Sequence, residues 1–158
     1  MAAATIDLVH IAAAEAAALQ RFVALLERER KVLIKGEVDR LFDIVREKND
    51  LAVQLALLST QRGSVLAADG LAPDRSGMAA WFAAHPAASD AQGVWSSLLS
   101  LASEARELNR DNGNLIQLRL QHNAQALEAL LGANASLKLY GPDGQSTPAS
   151  GHRISDCA

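Results

Sequence analysis

KVLIKGEVDRLFDIV, residues 31–45, is the stretch in which one amphipathic helix is predicted to end and a second to begin. Lys35 followed by Gly36 is typical of a helix C-terminus, because a cation is favoured in the last turn and glycine readily ends a helix. Glu37 and Asp39 then stand where the dipole of a new helix favours acidic side chains. The stretch therefore predicts a tight reversal and an antiparallel helical hairpin.

Apolar residues recur at steps of three and four on both sides of this turn, as they do on one face of an α-helix. We predict helices at about residues 6–35, 37–67, 76–84 and 90–132. Because an amphipathic helix alone leaves its apolar face in water, the hairpin should pack against the last of these helices. The expected fold is all-α, an elongated antiparallel hairpin or three-helix bundle with coiled-coil character.

The 158 residues are expected to form a helical bundle at 1–136 and a flexible C-terminal tail at 137–158. The tail is predicted because apolar residues become sparse there and a Gly-Pro-Asp-Gly turn follows Tyr140. Between the second and last helices, glycine, proline, serine and aspartate mark a connector that holds a short helix with Trp81 and Phe82. These two aromatic residues are expected to cover one end of the bundle.

Two residues are candidates for the N-cap of the connector helix, Asp74 and Ser76, since both side chains accept hydrogen bonds from the first free N–H groups of a helix. His85 followed by Pro86 should end that helix, because proline disfavours a helical conformation in the residue before it.

The composition limits the classes of partner. Hydrophobic residues make up 49% of the chain but aromatic residues only 4%, which suits closely packed helices. The 15 Lys and Arg and 18 Asp and Glu are mixed along the chain, so no basic surface for nucleic acid is expected. The N-terminus lacks the basic leading region of a signal peptide, and no uninterrupted apolar run reaches about 18 residues. We expect a cytoplasmic protein without membrane insertion.

No arrangement of reactive side chains indicates catalysis. The histidines, His10, His85, His122 and His152, are scattered and show none of the spacings that hold a metal on one helix face. Cys157 is the only cysteine, so neither an intramolecular disulfide nor a thiolate metal cluster is possible. We therefore predict no enzyme activity, no metal site and no cofactor.

The last long helix contains poor helix formers in the middle of its apolar pattern: Asn109, Asn112, Gly113, Asn114 and Asn123. Two interpretations of residues 109–114 stay open. A buried asparagine fixes the register of a helical seam at some cost in stability, whereas an exposed one can contact a partner directly. Tyr140 is similarly either a cover for the end of the bundle or a docking anchor.

ARELNRDNGNLI at residues 105–116, followed by NAQAL at 123–127, resembles the signature of the FlgN family, and LYGPDGQ at 139–145 is similar to the turn that follows the last helix in that family. The motif positions include Asn109, Asn112 and Gly113. Weaker similarity extends over most of the chain, although the connector matches poorly.

The resemblance implies a flagellar type III export chaperone. Members of this family bind the amphipathic C-terminal helices of hook-filament junction proteins of the FlgK and FlgL type and deliver them to the export gate component FlhA. Neither activity needs a cofactor.

We hypothesise that the last long helix and the tail form the client groove, because this helix has more apolar positions than a simple seam uses. Tyr140, on its turn, is the hypothetical contact with the export gate. The predicted client-binding residues are Leu115, Ile116, Leu120, Leu127, Leu130, Leu131, Leu137, Leu139 and Ile154.

An alternative function is a structural coiled-coil or adaptor component of a larger assembly. The two hypotheses differ in stoichiometry: a chaperone is expected to be monomeric alone, whereas a structural coil should self-associate.

Overall fold

The computed structural model describes the backbone of residues 2–138 and the side chains of residues 8–133. The prediction of an all-α fold is confirmed, since the described residues contain helices and no strand. The elements are α1 (Ala2–Lys35), a 3-10 turn (Val38–Arg40), α2 (Leu41–Ala68), α3 (Arg75–Ala84) and α4 (Ser89–Lys138).

The outer ends of the first and last helices differ from the sequence prediction. Helix α1 begins at Ala2 instead of near residue 6, and α4 continues through Gly132 to Lys138 instead of ending near residue 132. Alanine is the best helix former, and one glycine inside a helix costs only about 1 kcal/mol relative to alanine. The alanine-rich sequence around both ends therefore keeps the chain helical.

The turn between α1 and α2 forms at the predicted glycine. Gly36 has a φ of 78°, a left-handed conformation that costs little without a Cβ. The N–H groups of Gly36 and Glu37 both donate to the carbonyl oxygen of Val32, at 2.9 and 3.2 Å. The last turn of α1 thereby has its free carbonyl satisfied, and the chain reverses into α2.

The chain divides into two compact units, Met1–Ile116 and Gln117–Ala158. The first unit holds α1, α2, α3 and the first part of α4. Its main core contains apolar side chains from all four helices: Leu8, Leu19, Val23 and Leu26 of α1, Leu66 of α2, Met78, Trp81 and Phe82 of α3, and Ala91, Trp95, Leu98 and Ala105 of α4. A smaller core nearer the hairpin turn joins α1 to α2 through Leu25, Val32, Ile44 and Leu51.

The connector aromatics are part of the main core. The Trp81 ring is stacked on the His85 ring, with centroids 4.3 Å apart, and meets the Phe82 ring edge to face at 5.2 Å. The Nδ1 atom of His85 is 2.8 Å from the carbonyl oxygen of Trp81, one turn earlier. Helix α3 thus brings its aromatic residues against both the hairpin and α4.

Asp74, and not Ser76, is the N-cap of α3. Its Oδ1 atom accepts hydrogen bonds from the N–H groups of Ser76 and Gly77, at 2.8 and 3.2 Å, and from the Ser76 hydroxyl at 2.6 Å. The hydroxyl bond from Ser76, followed by the two backbone bonds, lowers the pKa of the Asp74 carboxyl below its ordinary value. The ionised carboxylate therefore stabilises the start of the helix.

By length and composition alone, α1 from Leu8 to Lys35 is the one described helix able to cross a membrane. It contains no uninterrupted apolar run of that length, because charged residues such as Glu15 and Arg21 lie within it. Much of its apolar surface is buried against the other helices, as in the core helix of a folded bundle. Core packing is therefore a sufficient reason for its apolar composition.

Candidate functional site

Two polar contacts join α4 to the hairpin within the first unit. In the first, the buried Arg62 of α2 donates from Nε to Glu15 of α1 at 2.8 Å. The guanidinium carbon of Arg62 also lies 4.9 Å from the centre of the Trp95 ring of α4. Because both charges are buried, this pair needs its good geometry to offset the cost of removing the charges from water.

The second polar contact centres on Glu29 of α1, whose side chain is nearly inaccessible to solvent. Lys48 of α2 forms an ion pair with it, with Nζ 3.1 Å from Oε2. From α4, the Nδ2 group of Asn112 donates to Glu29 Oε2 and to the carbonyl oxygen of Leu26, both at 2.8 Å. Asn112 is 0% exposed, so it belongs to the interior of the bundle.

The two contacts fix the direction and register of α4. Trp95 lies beside the Glu15–Arg62 pair, and Asn112 lies beside Glu29, so α4 runs parallel to α1 through this region. A buried amide that finds its hydrogen-bond partners at only one position along the neighbouring helix fixes the axial alignment of the two helices. For Asn112, the geometry favours the register interpretation over direct contact with a partner.

The other two family-motif positions, Asn109 and Gly113, are exposed. Asn109 and Gly113 are both on the solvent side of α4, and a Cβ added to Gly113 would meet nothing within 4 Å. The three family-motif positions therefore comprise one buried amide, Asn112, and two solvent-facing residues, Asn109 and Gly113. A contact of Asn109 or Gly113 with a partner stays a prediction.

Burial along α4 ends shortly after Asn112. Leu115 is half-buried and Ile116 is exposed, and from residue 117 to residue 133 every side chain is exposed except the half-buried Arg119. Large apolar side chains continue through this exposed length: Leu118, Leu120, Leu127, Leu130 and Leu131, with 52–63% of their surface accessible.

Four of the exposed residues form what we call the α4 stripe: Leu120, Asn123, Leu127 and Leu130. Their steps of three, four and three residues are those of the core positions of a coiled coil, so they lie along one face of the helix. The leucines of the stripe are 59–63% exposed. An apolar row of this kind in water marks an interaction surface, because its apolar area has not been removed from solvent.

The predicted client-binding residues divide into two groups. Leu120, Leu127, Leu130 and Leu131 lie together on the exposed part of α4, beyond Leu115 and Ile116 on the same helix. The second group, assigned to the tail, lies outside the described residues: the side chain of Leu137, whose backbone belongs to α4, and Leu139 and Ile154. Tyr140, the predicted contact with the export gate, also lies outside them.

A second exposed apolar row, which was not predicted from the sequence, runs along the outer side of the 3-10 turn and α2. It contains Val38, Phe42, Val45, Val53 and Leu57. The sequence does contain a signal for this row, since its apolar residues from Val38 to Val45 are spaced by four and three residues. However, α2 also carries a buried apolar row with the same periodicity. Periodicity alone does not say which of two apolar rows is covered.

A groove of about 430 Å³ between α1 and α2 is lined by three apolar and five polar side chains, and four of the polar ones bond one another. Arg28 pairs with Glu47 at 3.1 Å, and Arg21 donates to Gln54 at 3.0 Å. Within the described part of the chain, no three His, Cys, Asp or Glu side chains are close enough to hold a metal ion.

Comparison with known proteins gives a family match over nearly the whole chain. The model of the family described as FlgN protein matches residues 1–148. The flagella synthesis protein FlgN of Proteus mirabilis is 28% identical over 130 residues, which cover 81% of this chain and 82% of that protein. The protein of the same name from Yersinia enterocolitica is 28% identical over 135 residues, 84% of each chain. No solved structure matches.

Proposed function

The chain belongs to the FlgN family, and from this premise we propose that it is a cytoplasmic chaperone of flagellar type III export. Its clients are hook-filament junction proteins of the FlgK and FlgL type, bound through their C-terminal helices and delivered to the export gate component FlhA. The relatives named flagella synthesis protein support a role in flagellum assembly. The proposed activity is binding and release, without catalysis or a cofactor.

The observation that carries the proposal is the α4 stripe. Leu120, Leu127 and Leu130 are each more than half exposed on a helix that is regular over its described length. An amphipathic helix of a client, laid along this face, would bury the same row that the free protein leaves in water. Helical clients are favoured over extended ones, because a helix surface offers no unpaired backbone groups to a strand.

The energy available from the stripe suits a reversible carrier. Fully burying one leucine side chain contributes about 1.5–3 kcal/mol, so the three leucines supply a useful but limited binding energy. Part of it is consumed by ordering the client helix. A chaperone that must release its client at the gate is served by such moderate affinity.

Leu127→Asp tests the proposal directly. The substitution places a charge in the centre of the contact, and we expect the affinity for a FlgK-type or FlgL-type protein to fall at least about ten-fold. The measurement is co-expression followed by size-exclusion chromatography, with calorimetry of the purified pair.

Leu57→Asp is the matched control. Leu57 lies on α2 and is 58% exposed, against 59% for Leu127, so both variants introduce the same charge at equally accessible positions. Helical circular dichroism should be unchanged in both. Equal loss of client binding in the two variants, or no loss in either, would contradict the assignment of the client to α4.

Tyr140 is proposed as the contact with the export gate, on the ground that it belongs to the sequence at residues 139–145 that resembles the family motif. Tyr140→Ala should reduce capture of the chaperone by the cytoplasmic part of FlhA while client binding stays close to that of the unchanged protein. Parallel pull-downs with FlhA and with a client measure both effects. An equal reduction of the two would argue against separate surfaces.

A structural coiled-coil component is the second candidate, and the coiled-coil spacing of the α4 stripe is the observation that favours it. Such a component would pair through the stripe with another copy of itself. Sedimentation of the purified protein distinguishes the two: the chaperone is expected to be a monomer that binds one client, and the structural component a stable oligomer without a client.

A further inference from the structure

Asn123 interrupts the α4 stripe at the position where the coiled-coil spacing calls for a core residue. It lies three residues after Leu120 and four before Leu127, and all three side chains are exposed. A client helix that covers the leucines of the stripe must therefore cover the amide as well. An amide removed from water without a hydrogen-bond partner is costly, so the residue opposite Asn123 cannot be chosen freely.

The positions that flank the stripe provide little other discrimination. In coiled coils the partner is selected either by charges beside the core or by a polar residue within it. The flanking residues here are nearly all uncharged, with Arg119 as the one formal charge: Gln117, Arg119, Ala124, Ala126, Leu131 and Ala133. Selection by flanking charge pairs is therefore limited to a single position.

The same chain uses a core amide to fix register inside its own bundle. Asn112 donates to Leu26 and Glu29 of α1 from a completely buried position. Its Oδ1 atom has no hydrogen-bond partner among the described residues, so this alignment is held at some cost in stability. Asn123, like Asn112, occupies a position where a neighbouring helix would bury its amide. Within the described part of the chain, however, no helix covers the face that carries Asn123.

We infer that Asn123 is the specificity-determining residue of the client face: it selects an amphipathic helix that carries an amide or hydroxyl side chain within its own apolar row, and it fixes the register of that helix on α4. The inference rests on the proposed function, since it names the chemistry of the client that the α4 stripe accepts. Helices with an uninterrupted apolar row are disfavoured, because they leave the Asn123 amide buried and unpaired.

The test uses the full chain and two synthetic helical peptides of three heptads, identical except for the central residue of the apolar row, which is Asn in one and Leu in the other. Because the variable residue is central, it lies opposite Asn123 whether the peptide binds parallel or antiparallel to α4. The unchanged protein should bind the Asn peptide about ten-fold more tightly, and Asn123→Leu should reverse this preference, because an unpaired buried amide shifts affinity by roughly 5-fold to 100-fold. Fluorescence anisotropy measures all four affinities.

Gln125→Leu is the matched control, since it also replaces an exposed amide by leucine but lies off the stripe. It should keep the preference for the Asn peptide, and circular dichroism should show the same helix content in all three proteins. Equal affinity of the unchanged protein for the two peptides, binding of neither, or the same reversal in Gln125→Leu would overturn the inference.

Failure of the inference is distinguishable from failure of the proposed function. If the whole junction protein binds the unchanged chain and loses binding in Leu127→Asp, the client face stands whatever the peptides show. If, in addition, the Asn123→Leu variant prefers the same peptide as the unchanged protein, only the proposed role of Asn123 is disproved.

Discussion

At the scale of single residues, Asn112 and Glu29 show how a polar cluster is kept in the interior of a helical bundle. Glu29 is 2% exposed, and it is stabilised by the Lys48 ammonium and the Asn112 amide at the same time. Removing one partner leaves the other groups of the cluster buried and incompletely bonded, which costs more than the mutual attraction contributes. The three residues therefore act as one unit.

Asp74 provides a pH-dependent contribution to stability at the residue scale. Hydrogen bonds from Ser76 and Gly77 hold the pKa of its carboxyl below the ordinary value of 3.8. A carboxyl whose pKa is depressed by folding stabilises the protein above the unfolded pKa, and this contribution is lost as the pH falls through the lower folded pKa. We predict that Asp74→Ala lowers the thermal unfolding temperature at pH 7, and that this difference becomes smaller as the pH falls below 3.8, the ordinary pKa of the carboxyl.

The measurement is thermal unfolding of both proteins, followed by circular dichroism over a pH range from neutral to well below the ordinary carboxyl pKa of 3.8. Asp69→Ala is a suitable control, because Asp69 lies at the C-terminal end of α2 and does not cap a helix start. A difference between Asp74→Ala and the unchanged protein that is constant across this range would show that the cap does not depend on ionisation.

At the scale of elements, α4 is one helix with two environments. Up to Asn112 it packs against the hairpin, and from residue 117 to residue 133 nearly all of its side chains are exposed. Because nearly all of its described side chains are exposed, the second part depends largely on helix propensity and on its connection to a preformed helix, which removes the cost of nucleation. Alanine, leucine and glutamine dominate this length and are good helix formers.

Two glycines within helices should respond in opposite ways to the same substitution. Gly113→Ala is predicted to stabilise the protein by about 0.5–1 kcal/mol, because the position is exposed, helical and has open space around the added Cβ. Gly77→Ala is predicted to destabilise it, because the Cβ would collide with the carbonyl oxygen of Ala72. Urea unfolding of both variants measures the difference.

If Gly113→Ala also reduces client binding while Gly77→Ala does not, the exposed glycine of the motif has a role beyond the fold. If Gly113→Ala were less stable than the unchanged protein, the inference that this position can accept a Cβ without strain would be wrong.

At the scale of the whole molecule, the tail is predicted to contribute to client binding without contributing to the fold. Truncation after Lys138 removes Leu139, Tyr140 and Ile154 but keeps α4 complete. We expect unchanged helical circular dichroism and loss of binding to FlgK-type and FlgL-type proteins. The expected reason is that Leu139 and Ile154, two of the predicted client-binding residues, add apolar contacts to those of the α4 stripe.

Calorimetric titration of a client with the truncated and complete chains provides the comparison. Binding at full strength by the truncated chain would refute the role of the tail and leave the α4 stripe as the client surface. A large loss of helix content would instead show that the tail supports the bundle.

Much of the fold follows from the sequence alone, because its causes are local. The turn at Gly36 depends on a residue without a Cβ, and the helices follow from periodic apolar residues, so both were predicted correctly. The family was likewise recognisable from residues 105–116 and 123–127. Local signals also narrowed the cap of α3 to two residues, one of which was right.

Only the tertiary structure decided which apolar and polar positions are covered. Asn109, Asn112 and Asn123 are the same residue type on the same helix, yet only Asn112 is buried, because α1 brings Leu26 and Glu29 to it from more than eighty residues away in the chain. Periodicity defines a face but not the helix that covers it, and burial is a property of that second surface. For this reason the point after Asn112 at which packing ends could be found only from the structure, although Leu120, Leu127 and Leu130 were already predicted from the sequence as client-binding residues.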